Sequence, residues 1–223
     1  MSDMEKSLRT PPIWDDELEE WNATIPIPEL AGFDASSEKS VLDRFTQKMG
    51  TRSGELSQHD DEGALPAGTF PLIIHNRMRN SDPTRSQQDA IELLLFRRRS
   101  MVNAALEAIF NWYTAWSVRS RATPPAFPSS PEDIDDLYPL VDTPEGLGPL
   151  IKLEAVHVHE SSRGGVSDIG FEFITCWDDE HGLGVLMNRL QCIDLGTADV
   201  ASSDRYETVL DGTLWKLVAV ASA

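Results

Sequence analysis

The chain has 223 residues, 40% hydrophobic and 25% charged, which is ordinary for a soluble globular protein and long enough to bury a substantial core in one domain. Its 19 basic residues stand against 37 acidic ones, so the formal net charge is −18, a balance that repels nucleic acid and anionic membranes and attracts cations or basic proteins. No stretch approaches the roughly 20 apolar residues of a membrane span, and the N-terminus lacks a secretory pattern, so a cytoplasmic protein is expected.

In chain order, the segment 14–33 comes first. Its opening, Trp14 to Trp21, encloses five acids between two tryptophans, and aromatics of that size argue for docking onto the body of the protein. The alternation of Ala23, Thr24, Ile25, Pro26, Ile27 and Pro28 predicts an edge strand, because proline cannot donate to a ladder on both sides. Residues 34–66 read as a loosely organised, polar stretch, and Thr69 to His75 as a compact apolar strand.

A helix start signal follows. Thr84 and Gln87 have the spacing of a capping box, directly before Ala90, Ile91, Leu94 and Leu95 on one face. Ser100 either caps a second helix or lies within a bent one. Beyond it, Val102, Ala105, Leu106, Ile109, Phe110, Trp112, Tyr113 and Trp116 form a wide apolar stripe at spacings of three and four, the pattern of a core-facing helix. Between Arg77 and Ala122 there are eight arginines against four acids, so a basic helical band is expected within an acidic molecule, there for charge complementarity inside the chain and for solubility.

A proline-rich linker over 123–130 ends the helix. Ser130 and Pro131, followed by Glu132, Asp133, Asp135 and Asp136, predict a short helix with acids in its first turn, and Thr143-Pro144-Glu145 repeats that signature. Strands are expected over 151–159, on both sides of an acidic turn at 178–181, over 190–195, and in a last hairpin turned at Asp211 and Gly212. The expected fold class is α+β, a single domain over 1–223 built on a mostly antiparallel sheet with helices packed on one face. Cys176 and Cys192 fall in apolar strand patterns and are expected as reduced, buried thiols.

The run from Gly170 through Phe171, Phe173, Trp177, Asp178, Glu180, His181, Gly182, Leu183 and Gly184 to Val185, followed by Gly196, Ala198 and Asp199, resembles a bacterial domain family of unknown function. Members of that family show a similar Trp-Asp-x-Glu-His-Gly-Leu-Gly-Val hairpin and then a Gly-x-Ala-Asp loop. The resemblance covers roughly residues 70–200. Some members look like proteins found beside polymorphic toxins, which implies a toxin immunity protein.

The chemistry suggested by residue type is sparse. His157, His159, Glu160, Asp178, Asp179, Glu180 and His181 are of metal-ligating types, but no HExxH or CxxC spacing accompanies them, so no metal or other cofactor is expected; the two strand histidines read as hydrogen-bonded surface residues. No activated nucleophile and no phosphate loop is evident. The acidic clusters make the stronger case. Asp15, Asp16, Glu17, Glu19 and Glu20 surround Leu18, and Glu132, Asp133, Asp135 and Asp136 surround Ile134. With Asp178, Asp179 and Glu180, these are the candidate partner-binding residues, combining charge for steering with apolar anchors for affinity.

The expectation is therefore a non-catalytic protein that binds a cognate basic toxin or effector, without nucleic-acid or membrane partners. The alternatives are a small metal-dependent or acid/base hydrolase working at the 178–181 turn, and a structural scaffold protein.

Overall fold

The computed structural model describes residues 8, 10–33, 65–76, 82–122, 138–178 and 180–203. They form a seven-stranded, mostly antiparallel sheet with one long helix, an α+β fold. The strands are β1 (Thr10–Asp15), β2 (Glu20–Pro26), β3 (Thr69–His75), β4 (Ile151–Arg163), β5 (Val166–Thr175), β6 (Leu183–Asn188) and β7 (Gln191–Gly196), and they lie in the sheet in that order. Every neighbouring pair is antiparallel except β3 and β4. Parallel neighbours need a crossover, and α1 (Arg85–Ala122) supplies it.

The capping box forms as the spacing predicts: the Thr84 amide donates to Gln87 Oε1 at 2.9 Å, and the Gln87 amide donates to Thr84 Oγ1 at 3.3 Å. Gln87 also donates to the backbone carbonyl of His75 at 2.7 Å, which fixes where the helix leaves the end of β3. Ser100 lies within one bent helix, whose non-helical residue is Arg97. Ile91, Leu94, Met101, Ile109 and Tyr113 bury their side chains against Leu72, Ile74, Val156, Val158, Phe171, Phe173 and Val185 of the sheet. Buried residues continue on both sides of the bend, Ile91 and Leu94 before it and Met101, Ile109 and Tyr113 after it.

The opposite face carries α2 (Asp199–Ser202), one helical turn that lies directly on the backbone of β5 and β6. Two glycines permit that approach. A methyl group on Gly170 would run into the backbone of Ala201, and one on Gly184 would come within 2.6 Å of both Ala201 N and Thr197 O. The two segments that carry the family resemblance, the hairpin of β5 and β6 and the stretch 196–199, are thus packed against each other.

Two expectations about strands need correcting. The strand around Ala23 to Pro26 is interior, since β2 pairs with β1 on one side and with β3 along seven register positions on the other. Its proline falls at the strand end, where a missing donor costs little, and the strand closing that side of the sheet is β1. In β1 the ladder skips Pro11 and Pro12, and pairing resumes at Ile13. Strand β4 runs on to Arg163, with a register shift between Leu153 and Ala155 that moves its core-facing positions from 151 and 153 to 156 and 158.

Thr143 precedes a one-turn 3-10 helix (Pro144–Leu147) and makes no side-chain cap. The expected linker at 123–130, the short helix after Ser130, the stretch 34–64 and the hairpin at Asp211 and Gly212 lie outside the described residues. Among the described residues, no helix is long and apolar enough to cross a membrane.

If the seat of α2 depends on these glycines, Gly170→Ala should cost on the order of 3 kcal/mol of stability in denaturant unfolding. Gly32→Ala, where an added methyl meets nothing within 4 Å, should change stability by less than about 0.5 kcal/mol.

Candidate functional site

The acidic segment after Trp14 forms the turn between β1 and β2. Trp14 and Trp21 face each other across the hairpin, with ring centroids 5.4 Å apart in an edge-on arrangement, and Trp21 packs against the core. The turn is held by its own side chains. The Asp15 carboxylate accepts the amides of Glu17 and Leu18 at 2.9 and 3.1 Å, and the Trp14 indole N–H donates to Asp16 Oδ1 at 2.7 Å. Glu19 closes it from the left-handed region, at φ 57°. Asp16, Glu17 and Leu18 are exposed, Leu18 to 65% of its surface, while Asp15, Glu19 and Glu20 are half-buried. Apolar Ile13, also exposed, extends the same end of β1.

The turn at 178–181 is built differently. The Thr175 hydroxyl donates to the Asp178 carbonyl and accepts the Asp178 amide, and the Asp178 carboxylate accepts both the His181 amide at 3.0 Å and His181 Nδ1 at 2.9 Å. Gly182 takes a φ of 60°, and the Ala198 amide donates to the His181 carbonyl, tying the turn to the segment that leads into α2. Asp178 and His181 are therefore occupied in shaping the turn. The bond to Asp178 is also the main reason the exposed His181 imidazole titrates above its ordinary value.

The structure separates the candidate partner-binding residues. The turn between β1 and β2 lies at the end of the sheet where β3 finishes, and the 178–181 turn lies at the opposite end, where β4 begins, a separation of roughly 25 Å or more along the strands at about 3.3 Å per residue. Asp179 and the cluster Glu132, Asp133, Asp135 and Asp136 lie outside the described residues. Glu180 is exposed beside Asp178. Glu20 does not join the exposed acids of its own turn, because it faces His75 across the β2–β3 ladder.

A correction follows for the strand histidines. His157 and His159 were expected at the surface, and they are 3% and 1% exposed. His75, on β3, lies beside both, with near-parallel rings at centroid distances of 5.3 and 5.2 Å. His157 Nε2 lies 2.7 Å from Glu172 Oε2, His157 Nδ1 lies 3.1 Å from His75 Nε2, and His75 Nδ1 lies 3.9 Å from Glu20 Oε2. His159 Nε2 donates to the Ala201 carbonyl at 2.8 Å, joining the group to α2. The alternation that puts 157 and 159 opposite Val156 and Val158 was readable. What buries that second face was not, since His75 is 82 residues away in sequence. Among the described residues, no three His, Cys, Asp or Glu side chains stand where they could hold one metal ion together.

At the far end of α1, Trp112, Trp116, Tyr113 and Trp177 pack on one another with centroids 4.7 to 6.2 Å apart. The Tyr113 hydroxyl donates to the Pro139 carbonyl. Tyr113 is buried and Trp112, Trp116 and Trp177 are half-buried, all packed against the core, which is the role the apolar stripe predicts for them. Cys176, against this cluster, is buried and Cys192 half-buried, both as free thiols, and burial pushes them up to about 12 and about 11 respectively.

With the arrangement described, the sequence can be placed. The chain belongs to a family whose model is described as Domain of unknown function (DUF6985). That model matches residues 65–202, so the match begins just ahead of β3 and ends with the last residue of α2. Strands β1 and β2 lie before it and extend the same sheet. No curated protein and no solved structure matches the chain.

Two measurements check the local chemistry. In NMR titrations His181 should titrate above 6.5, and Asp178→Asn should return it towards that value; a raised histidine value means that this contact stabilises the turn below the unfolded value and fades as pH rises through the folded one. A thiol reagent at pH 7.5 should label Cys192 slowly and Cys176 more slowly still, with both reacting at once in denaturant.

Proposed function

We propose that this chain is a non-catalytic, cytoplasmic binding protein that captures a basic protein, and more specifically a bacterial immunity protein that neutralises a cognate toxin by covering its active surface. The observation that carries this reading is the turn between β1 and β2, where Leu18 stands 65% exposed among Asp16, Glu17 and Glu19 on a backbone already fixed by the Asp15 carboxylate. An exposed apolar side chain ringed by carboxylates suits an interface that steers by charge and anchors by desolvation. A turn held rigid before binding loses less conformational entropy when it binds. The net charge of −18 extends the same attraction over the molecule as a whole, and nuclease toxins, which bind phosphates, are basic.

The hydrolase reading centred on the 178–181 turn draws less support, because Asp178 spends its carboxylate on the amide and imidazole of His181 within the same turn. The two readings part experimentally. Asp178→Ala should loosen the β5–β6 turn and lower the melting temperature without affecting partner capture.

The direct test is co-expression with the product of the adjacent reading frame. Wild-type protein should bind and neutralise it, with affinity falling as salt is raised. Leu18→Asp, or Asp16→Lys with Glu17→Lys, should weaken binding at least tenfold with an unchanged circular dichroism spectrum. If the wild-type protein binds nothing encoded beside it, the immunity reading fails.

A further inference from the structure

We propose that the exposed strip of α1 around Phe96, Arg97 and Arg99 is a docking surface for a second copy of this chain, which seats its Leu18 turn there. Phe96 is 85% exposed, the highest value for a large hydrophobic side chain among the described residues. One exposed apolar residue is ordinary on a protein surface, and it is the neighbours of this one that single it out. Phe96 directly precedes Arg97, where α1 departs from helical geometry, and Arg99 follows about one turn later. Both arginines are exposed and neither makes an ion pair among the described residues, whereas Arg85 is paired with Asp89 and Arg98 with Glu29. Ser100 and Asn103 continue the exposed strip without charge, and Glu92 and Glu107 bound it.

An aromatic ring beside two guanidinium groups calls for an apolar anchor set among carboxylates. The anchor removes water from the ring, and each planar guanidinium takes a carboxylate in a two-point hydrogen bond. This chain carries such a surface itself. Leu18 is 65% exposed next to Asp16 and Glu17, which are also exposed, on a turn already fixed by the Asp15 carboxylate. Within one molecule the two surfaces do not cover each other, since Leu18 and Phe96 both stay exposed. The contact is therefore made between copies. Each copy has one turn and one strip, so two copies related by a twofold axis form the contact twice, and any other relation continues it from copy to copy.

The net charge of −18 sets the conditions under which copies can meet. At an ionic strength of 0.01 M the Debye length is about 30 Å, so the copies repel as whole molecules. At 0.15 M it is about 8 Å, which screens that repulsion and leaves the opposite charges at the contact. At 1 M it is about 3 Å, and the contact itself is screened. Association should accordingly be strongest at intermediate salt, whereas a purely apolar contact would only strengthen as salt is added.

This inference goes beyond the capture of a basic protein, although it uses the same turn. A copy seated on the turn covers Leu18, so a second copy and a basic partner compete for one surface. The strip on α1 belongs to self-association alone, which lets the two readings fail separately: Arg97→Glu with Arg99→Glu should abolish self-association and leave capture through the turn intact.

The test is sedimentation velocity on the isolated full chain, from about 5 to about 500 µM, at the three salt concentrations. Wild-type protein should form a reversible assembly at 0.15 M and less of it at 0.01 M and at 1 M. Phe96→Ser should weaken assembly about tenfold with an unchanged circular dichroism spectrum. Arg97→Glu with Arg99→Glu should be monomeric, and so should Asp16→Lys with Glu17→Lys. Mixing these two charge-reversed proteins should restore assembly, because each then offers the other an oppositely charged match. A wild-type chain that stays monomeric throughout would overturn the proposal, and a lower melting temperature of Phe96→Ser in that case would give the strip to the acids at 132–136 of the same chain. Assembly that only grows with salt, or that is not restored in the mixture, would overturn it as well.

Discussion

The parallel pairing of β3 with β4 is the constraint from which the rest of this structure follows. It rests on three register pairs, Leu72 with Val156, Ile73 with His157 and Ile74 with Val158. Two strands running the same way cannot be joined by a turn, so the chain must travel the length of the sheet before β4 can begin. The long helix does this, and in doing so it claims one face of the sheet for the core. The other face receives no long element among the described residues. It is there that the one-turn α2 settles on Gly170 and Gly184, and that three histidines from β3 and β4 come together.

Much of this was legible in the chain. The box of Thr84 and Gln87, the helical stripe from Val102 to Trp116 and the alternation of Ile169, Phe171 and Phe173 are local patterns, and local patterns survive folding when core packing agrees with them. The errors were of another kind. Proline in β2 suggested an edge, but which strand lies at the edge depends on which strand pairs with which, and Thr10 finds Thr24 only because β1 folds back on β2. His157 and His159 were correctly placed on one face, yet their burial depends on His75 and on Ala201, neither of which is near them in sequence. Alternation says that a residue is opposite the core. It does not say that it meets water.

The acids illustrate the same limit. Read along the chain, Asp15 to Glu20 form one cluster, and side-chain chemistry gives no reason to divide them. In the fold they have three fates. Asp15 and Asp16 hold the turn together, Glu17 is free to meet solvent or a partner, and Glu20 turns inward to the imidazoles. A cluster seen in sequence is a count of charges, whereas in the structure each carboxylate has its own dielectric and its own donors. Likewise, arginines that read as one basic band divide into structural and exposed members: Arg98 reaches Glu29 at 2.6 Å and the Pro26 carbonyl, Arg121 holds the carbonyl of Tyr138, and Arg97 and Arg99 are exposed.

Pro11 and Pro12 in β1 bear on how this protein can be recognised. A sheet's outermost strand ordinarily offers a row of unpaired amides and carbonyls, a template on which a passing extended peptide can lay down one more strand without regard to its side chains. Consecutive prolines interrupt that row, because neither has an amide hydrogen to give on either side, and the register gap they create bends the strand away from regularity. Growth of the sheet is thereby discouraged along the first half of β1, up to Ile13. An edge broken in this way is a poorer template for an added strand, and what it presents to its surroundings is set more by side chains than by a continuous row of main-chain donors and acceptors.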